Sequence, residues 1–140
     1  MEITNELLKA VMPQSTEANR QKYLDWINHY LPIYNIVTDN QIATFLAQVG
    51  HESGQLLYSE EIASGSAYEG RKDLGNTQVG DGKRYKGRGL IQVTGRGHYK
   101  TISDATGEDF IKNPELLSTP KYAVMSACWY WALENLNSNC

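Results

Sequence analysis

Apolar residues recur at helical spacing through the first third of the chain. A short amphipathic pattern covers residues 3–12 and stops at Pro13, which a helix interior does not accommodate. A longer pattern covers residues 16–34, and its apolar face comprises Tyr23, Trp26, Ile27, Tyr30 and Leu31. The two patterns predict two helices whose apolar faces belong to a buried core.

A third helix is predicted to begin with Asp39 as its capping residue. The apolar residues that follow at i, i+3, i+4 and i+7 are Ile42, Phe45, Leu46 and Val49. This helix places His51 and Glu52 in its last turn. Ser53-Gly54 then supplies the break at which the helix ends.

Glycine concentrates in the middle of the chain and changes the predicted structure there. Nine of the twelve glycines lie within residues 65–97, which favours loops over helix. A short apolar run at residues 90–93 is typical of a strand, so we predict a small β-hairpin with Gln92 and Thr94 in phase on one side. Residues 56–62 are also predicted to be extended and partly buried. In that segment Glu60 and Glu61 would face opposite sides, so only one of them can enter a cleft.

The last third of the chain returns to helical patterns. Residues 99–105 predict one helix, Asn113-Pro114 predicts a turn, and Thr119 with Pro120 predicts the start of a final helix. The buried stripe of that helix comprises Val124, Ala127, Cys128 and Trp131. No internal repeat or linker composition appears, so we predict one domain, residues 1–140, of the mainly α (α+β) class.

Composition excludes several classes of protein. Hydrophobic residues make up 41% and charged residues 21% of the chain, which is ordinary for a globular domain and excludes disorder. No apolar run approaches the roughly 20 residues that cross a bilayer, and the amino terminus lacks the pattern of a secretory signal. We therefore expect a monomer made in the cytoplasm, without a membrane partner. Cys128 and Cys140 are predicted to be free thiols rather than a disulfide.

The net charge of −3 is unevenly distributed. Residues 83–100 carry six basic residues and no acidic ones, which leaves −9 for the rest of the chain. Such a strip either focuses an anionic polymer into a cleft or is simply a solvated loop, and charge alone does not separate these interpretations. A nucleic-acid partner is disfavoured because the chain as a whole is acidic and few aromatic residues accompany the basic ones.

Glycoside hydrolysis requires two carboxyl groups close together. One protonates the leaving oxygen and the other attacks carbon or activates water, at about 5–5.5 Å for retention or 6.5–9.5 Å for inversion. Glu52 and Glu61 are nine residues apart, which is too far unless the chain turns between them, as Ser53-Gly54 allows. Glu52 lies at the negative end of a helix dipole, and we expect neighbouring apolar residues to shield it from water, which suits it to be the acid. Spacing alone does not distinguish this pair from other carboxylates in the chain.

A set of motifs across residues 39–137 resembles one enzyme family. The motifs are FLAQVGHESG, a second glutamate nine residues after the first, AYEGR, GDGKRYKGRGLIQVTGRGHY, NPELL and SACWYW. They are similar to glycoside hydrolase family 19, and to its phage and bacterial endolysin branch more than to plant chitinases. The resemblance implies a lysozyme-like fold, with a cleft between a helical body and the glycine-rich segment.

The resemblance also implies roles for individual residues. Glu52 resembles the general acid, Glu61 the general base of an inverting reaction, and Thr94 the hydroxyl residue that helps to hold the attacking water. Gln92 resembles a substrate-binding amide, and His51 is expected to make an orienting hydrogen bond near Glu52. No zinc site is predicted, because the sequence lacks the two-histidine spacing of HExxH, and no cofactor is expected.

Other substrate-binding candidates come from residue type. Tyr85 is suited to stack on or hydrogen-bond a sugar, although tyrosines in such segments also belong to cores. Arg71 and Arg96 either bind a carboxylate or acyl group or form structural ion pairs. His98 stands where related sequences usually carry Asn, so we expect its contact with sugar to change or to become pH-sensitive.

The favoured substrate is peptidoglycan, cleaved at β-1,4 bonds by an endolysin that acts on the cell wall after release. Chitin is the alternative within the enzyme class. The chain ends at Cys140, whereas related sequences continue with a further helical segment, so we expect either a naturally short enzyme or a truncated one. A non-catalytic glycan-binding remnant is therefore the alternative from another functional class.

Overall fold

The computed structural model describes residues 2–134. Its helices are α1 (Asn5–Val11), α2 (Glu17–Ile33), α3 (Asp39–Glu52), α4 (Asp81–Arg84), α5 (Arg96–Thr106) and α6 (Pro120–Leu133). Short 3₁₀ segments cover Ser66–Tyr68, Lys72–Leu74 and Pro114–Ser118. The predicted mainly helical class is confirmed. No helix within residues 2–134 is long and apolar enough to span a bilayer.

Threonine hydroxyls define where the first three helices begin. Thr4, Thr16 and Thr38 each accept a hydrogen bond from the amide three residues later. At α3 the Gln41 side chain also accepts from the Thr38 amide, which completes a reciprocal capping box. The prediction of Asp39 as the cap is therefore wrong by one residue, and Asp39 instead contributes a negative charge to the first turn.

The helices pack around two adjoining apolar clusters. Helices α2 and α6 make the most extensive contact between elements. The ring of Phe45 on α3 meets that of Trp131 on α6 edge-on, with centroids 5.4 Å apart. Both rings are almost fully buried, so removing Phe45 would cost about 3–5 kcal/mol of stability. This packing fixes α3, and with it Glu52, against the final helix.

Helix α6 carries the one cysteine among residues 2–134. Cys128 is fully buried, and burial raises the pKa of its thiol above the ordinary value. Its place in the predicted buried stripe agrees with the helical pattern. The predicted free thiol at Cys140 lies outside the described residues.

The chain reverses after α3 through a left-handed turn. Gly54, Gln55 and Leu56 have φ values of 60°, 58° and 70°. The conformation costs about 1–2 kcal/mol at each non-glycine residue, so the surroundings must hold it. Leu56 is fully buried and its amide donates to the Ser53 hydroxyl, while the Gln55 amide donates to the Gly50 carbonyl. The turn sends the chain back toward the glycine-rich segment.

The predicted β-hairpin is reduced to two isolated bridges within the described residues, Glu60 with Arg88 and Arg88 with Val93. Arg88 and Val93 exchange backbone hydrogen bonds of 3.0 and 2.8 Å, so residues 89–92 form a turn rather than a strand. The prediction of a strand at 90–93 is wrong because its apolar residues are buried by docking the turn on α6. The Leu90 amide donates to the Ala123 carbonyl there. Gly89 is required at this contact, since a Cβ would lie 2.4 Å from the Ser126 hydroxyl.

The segment at residues 56–62 is less buried than predicted. Leu56 is buried, but Leu57, Tyr58 and Ile62 are exposed to 58%, 40% and 79%. Of this segment only Glu60 takes part in a β-bridge. The segment is held by a few polar contacts instead of by an apolar face.

Candidate active site

A cleft of about 290 Å³ opens between the helical body and the glycine-rich segment. Its lining comprises Gln48, Glu52, Leu74, Ile91, Gln92, Val93, Thr94, His98, Trp129 and Tyr130. Four of the residues that the sequence singled out therefore meet in one place: Glu52, Gln92, Thr94 and His98. They come from the end of α3, the 89–94 turn and the start of α5.

Glu52 ends α3 at the edge of the cleft. Gln48 lies one helical turn earlier, and its side-chain amide donates to Glu52 Oε1 at 2.9 Å. The expectation that apolar neighbours shield Glu52 from water is wrong, because Phe45 and Val49 point into the core while Glu52 is exposed. Its position at the end of α3 directs the carboxyl group to the edge of the cleft.

Glu61 is held from two sides. Its Oε1 accepts a 2.6 Å hydrogen bond from the Gly87 amide, and its Oε2 accepts one of 3.0 Å from the Tyr68 hydroxyl. The Glu61 amide also donates to the Gly87 carbonyl, so backbone and side chain are both fixed to the same residue. The hydrogen bond to Glu61 raises the pKa of Tyr68 above its ordinary value. Both side-chain oxygens of Glu61 therefore act as hydrogen-bond acceptors.

Gly87 connects Glu61 to the cleft. A Cβ at Gly87 would lie 2.5 Å from Gln92 Oε1 and 3.2 Å from Thr94 Oγ1. A side chain at Gly87 would therefore displace the Gln92 amide and crowd Thr94, whereas glycine lets the backbone that anchors Glu61 approach both. Glu61 is not itself among the residues that line the cleft; Gly87 connects it to Gln92 and Thr94, which line the cleft together with Glu52.

Glu60 has different partners from Glu61. Its carboxylate lies 2.9 Å from Lys86 Nζ and 3.8 Å from Arg88 Nε. Arg88 is buried, and its Nη1 donates to the Arg84 carbonyl and the Tyr99 hydroxyl. Glu60 thus balances two basic residues beneath the segment. The two adjacent glutamates diverge as the alternation predicted.

The 89–94 turn presents Gln92 and Thr94 together without a strand. Gln92 has a φ of 49°, and its side-chain amide donates to the Gly89 carbonyl at 3.1 Å. The Thr94 hydroxyl donates to the Gln92 carbonyl at 2.9 Å. The turn therefore fixes both side chains by hydrogen bonds to its own backbone.

The two histidines beside the glutamates differ in position. His98, in the first turn of α5, lines the cleft with its Nδ1 2.8 Å from the Thr94 carbonyl oxygen. His51 is exposed on α3, and within residues 2–134 its ring makes no hydrogen bond. The expected orienting hydrogen bond from His51 is therefore wrong.

Tyr85 and Arg71 do not line the cleft. Tyr85 is 1% exposed, and its hydroxyl donates to the Ile111 carbonyl at 2.8 Å while its ring packs against Tyr99. The prediction that Tyr85 contacts sugar is therefore wrong, since the residue belongs to the core beneath the loop. Arg71 is half exposed and pairs with Asp73 at 2.6 Å. A substrate contact by Arg71 stays a prediction.

The basic strip at residues 83–100 is largely used for internal contacts. Arg96 forms a two-point pair with Asp81, at 2.8 and 2.9 Å, and Asp81 is 1% exposed. Arg84 donates to two backbone carbonyls, and Lys100 pairs with Asp104. With Lys86 and Arg88 facing Glu60, the strip supports neither interpretation drawn from charge alone. Its main role is to hold the glycine-rich segment on the helices.

Several site residues were missed by the sequence analysis. Gln48 was detectable, because residues four apart share a helix face and it precedes Glu52 by one turn. Tyr68 was within the AYEGR motif, but its hydrogen bond to Glu61 depends on how the loop folds back. Trp129 and Tyr130 were within SACWYW, where a helix that is apolar on all sides hides which residues face a cleft.

Comparison with known proteins decides the family. The family profile described as chitinase class I, of glycoside hydrolase family 19, matches residues 34–139. The chain belongs to glycoside hydrolase family 19. A family 19 domain-containing protein of Haemophilus influenzae is 32% identical over 136 residues, covering 73% of this chain and 68% of that protein. An endochitinase of Arabidopsis thaliana is 34% identical over 115 residues, covering 80% of this chain and 43% of the endochitinase.

Solved structures of this family share the fold. Chitinase C from Streptomyces griseus superposes with a TM-score of 0.71 at 27% identity, covering 92% of this family 19 chain and 65% of chitinase C. A class IV family 19 chitinase from Zea mays gives a TM-score of 0.71 at 21% identity. The lysozyme-like family 19 fold predicted from the sequence is thus confirmed. The chain spans about two fifths of the length of the Arabidopsis endochitinases that it matches.

Proposed function

We propose that this family 19 chain hydrolyses β-1,4 bonds in a polymer of N-acetylhexosamines, with Glu52 as general acid and Glu61 as general base. One observation carries the proposal. Glu61 is anchored to Gly87, and Gly87 abuts the same Gln92 and Thr94 that form a cleft with Glu52. Glycoside hydrolysis needs two carboxyl groups at one cleft, and we assign Glu61 as the second because Gly87 connects it to the cleft residues.

The surroundings of the two glutamates suit different steps. Glu52 lies at a helix end and is open to the cleft, where it can take a proton from solvent and deliver it to the leaving oxygen. Glu61 is fixed through both oxygens, which suits a base that must keep one position while it orients a nucleophile. We assign inversion because such a base activates water instead of attacking carbon.

Thr94 supplies the second contact that an attacking water needs. Its hydroxyl donates to the Gln92 carbonyl, so its oxygen lone pairs can accept a hydrogen bond from water. Thr94 lies beside Gly87, the residue that anchors Glu61. The proposed water therefore lies between Glu61 and Thr94, on the side opposite Glu52, and Gln92 and His98 contact the sugar.

Peptidoglycan is the proposed substrate, because the motifs resemble those of endolysins. The protein would act on the cell wall after its release from the cytoplasm. We propose that it acts as a monomer and needs no cofactor. Chitin is the second candidate, favoured by the names of the similar proteins, which are endochitinases and chitinases. The two polymers share β-1,4-linked N-acetylglucosamine, so the same cleft is proposed to bind that sugar in either polymer.

Product analysis tests the proposal. Purified peptidoglycan and chitin oligomers are incubated with the protein and with Glu52→Gln, and the products are identified by mass spectrometry. We expect cleavage by the unmodified protein and about 10³-fold slower cleavage by the variant. The products name the substrate and the bond. Equal clearing of permeabilised bacterial cells by both proteins, with no new products, would instead favour the non-catalytic glycan-binding alternative.

A further inference from the structure

A second depression lies where the carboxyl ends of α2 and α5 meet the amino end of α6. We call it the tyrosine groove, and it measures about 290 Å³. The residues that matter to its chemistry are Tyr30, Tyr34, Thr106, Glu108, Lys121 and Tyr122. None of the six lines the cleft or takes part in the proposed reaction.

The tyrosine groove has a defined position relative to the cleft. On α5, His98 lines the cleft and Thr106, eight residues later, lines the groove. On α6, Tyr130 lines the cleft and Tyr122, eight residues earlier, lines the groove. Eight residues of helix span about 12 Å, so both helices place the two depressions at a similar separation.

Aromatic rings form the walls of the groove. Tyr30 lies in the last turn of α2 and Tyr34 directly follows that helix, with ring centroids 6.5 Å apart. Tyr122 packs edge-on against the buried Phe110, with centroids 5.3 Å apart, so its ring is held in one orientation. Half-buried rings that are fixed by packing offer apolar faces at little entropic cost.

Polar groups converge on these rings. Lys121 Nζ lies 5.2 Å from the centre of the Tyr122 ring, and within residues 2–134 it has no ion-pair partner. Burial, and after it the neighbouring Glu108 carboxylate, raise the pKa of the Tyr122 hydroxyl above its ordinary value. The hydroxyls of Tyr30 and Tyr34 make no hydrogen bond to the described part of the protein. The groove therefore combines apolar ring faces with several donors and acceptors.

We propose that the tyrosine groove binds a second stretch of the N-acetylhexosamine polymer, outside the site of cleavage. A sugar presents an apolar ring face together with hydroxyl and acetamido groups, which matches this mixture of aromatic and polar groups. An apolar helix of a partner protein fits worse, because it would desolvate Glu108 and Lys121 without replacing their hydrogen bonds. The identity of the polymer rests on the proposed function, whereas the presence of a second binding site does not.

Kinetics on long and short substrates test the inference. Two groove variants are compared, Tyr122→Ala and the double change Tyr30→Phe with Tyr34→Phe, which removes only hydroxyls. Tyr58→Phe is the matched control, because Tyr58 is exposed and lies outside the groove. We expect about tenfold lower turnover of polymeric chitin or peptidoglycan with Tyr122→Ala, a smaller loss with the double change, and unchanged turnover of short chitin oligomers that occupy the cleft alone.

Binding measurements separate this inference from the proposed function. In the Glu52→Gln background, cosedimentation with peptidoglycan sacculi and with insoluble chitin reports binding without cleavage, and identifies the polymer. Equal turnover losses on long and short substrates, or groove variants that bind both polymers as tightly as the Tyr58→Phe control, would overturn the groove proposal. Persistent cleavage by Glu52→Gln would overturn the proposed function and leave the groove result standing.

Discussion

The helices of residues 5–52 and 96–133 are held together by apolar side chains, whereas residues 53–95 keep their shape through hydrogen bonds and close backbone contacts. In α6 every residue from 123 to 129 is buried. In the glycine-rich segment Glu69 instead accepts from the Gly80 and Gly82 amides, and Asn76 bridges the Tyr68 carbonyl and the Arg96 amide. The proposed acid belongs to the first region and the proposed base to the second. Apolar packing of the helices thus positions the Glu52 carboxyl group, whereas hydrogen bonds within the glycine-rich segment position that of Glu61.

Replacing the two glutamates should give the largest losses of activity, and the accompanying change in Tm should differ between the two regions. Glu52→Gln and Glu61→Gln are each expected to lower kcat about 10³-fold, because each removes a proton-transfer step. Only Glu61→Gln should also lower the Tm, since an amide NH₂ cannot accept hydrogen bonds from both Gly87 and Tyr68. Steady-state kinetics and thermal unfolding measure the two effects. Activity above a tenth of the unmodified value in either variant contradicts the assigned roles.

Breaking the ion pair beneath the loop should destabilise the protein. Asp81→Asn is expected to lower the free energy of unfolding by about 3 kcal/mol, because it leaves Arg96 without its buried partner. The hydrogen bonds from Arg96 hold the pKa of Asp81 below its ordinary value. A carboxyl group with a lowered folded-state pKa stabilises the protein above its unfolded pKa of about 3.9, and loses that effect as pH falls through the folded value.

Urea unfolding at several pH values measures this prediction. The unmodified protein should lose stability more steeply than Asp81→Asn as the pH falls below about 4. Asp104→Asn is the matched control, because the Lys100–Asp104 pair is exposed and should contribute below about 1 kcal/mol. If the free energy of unfolding falls equally steeply at acid pH for the unmodified protein and for Asp81→Asn, the pair does not stabilise the loop.

A single methyl group added at Gly87 should displace the side chains of Gln92 and Thr94. Gly87→Ala places a Cβ against Gln92 and Thr94, so we expect about 10²-fold lower kcat/KM from misplacement of these groups. Gly70→Ala is the control, because Gly70 has a positive φ of 72° but no neighbour within 4 Å. Its backbone strain should cost about 1 kcal/mol of stability and leave activity intact. Similar activities for the two variants would refute the role of Gly87 as a close-approach position.

Removing one hydrogen bond to the base should give the smallest effect. Tyr68→Phe is expected to lower kcat about tenfold with KM unchanged, because the lost contact orients Glu61 and not the substrate. Tyr58→Phe again serves as the control for a hydroxyl outside the site. A change confined to KM would mean that Tyr68 binds substrate directly.

The helical body followed from local sequence patterns. The spacing of apolar residues predicted α2 and α3 to within one or two residues, because a period near 3.6 and capping residues act over a few neighbours. Pro120 likewise marked the start of α6. Glu52 was placed correctly at a helix end for the same local reason.

The loop region depended on contacts that spacing does not report. The run at residues 90–93 has the composition of a strand, yet burial against α6 folds it into a turn, because a short apolar run satisfies either environment. Tyr85 was expected at a sugar but fills the space beneath the loop. Glu61 entered the site through resemblance, and its partners Gly87 and Tyr68 are 26 and seven residues away, so only the folded chain identifies them.

The stereochemistry of the first product tests the central claim most directly. A base that activates water across the cleft from the acid must invert the anomeric carbon in a single displacement. Proton NMR during the first minutes of hydrolysis of a β-1,4 oligomer should therefore show the α-anomer before mutarotation mixes the signals. Initial appearance of the β-anomer would mean retention, and would contradict the assignment of Glu61 as a base acting through water.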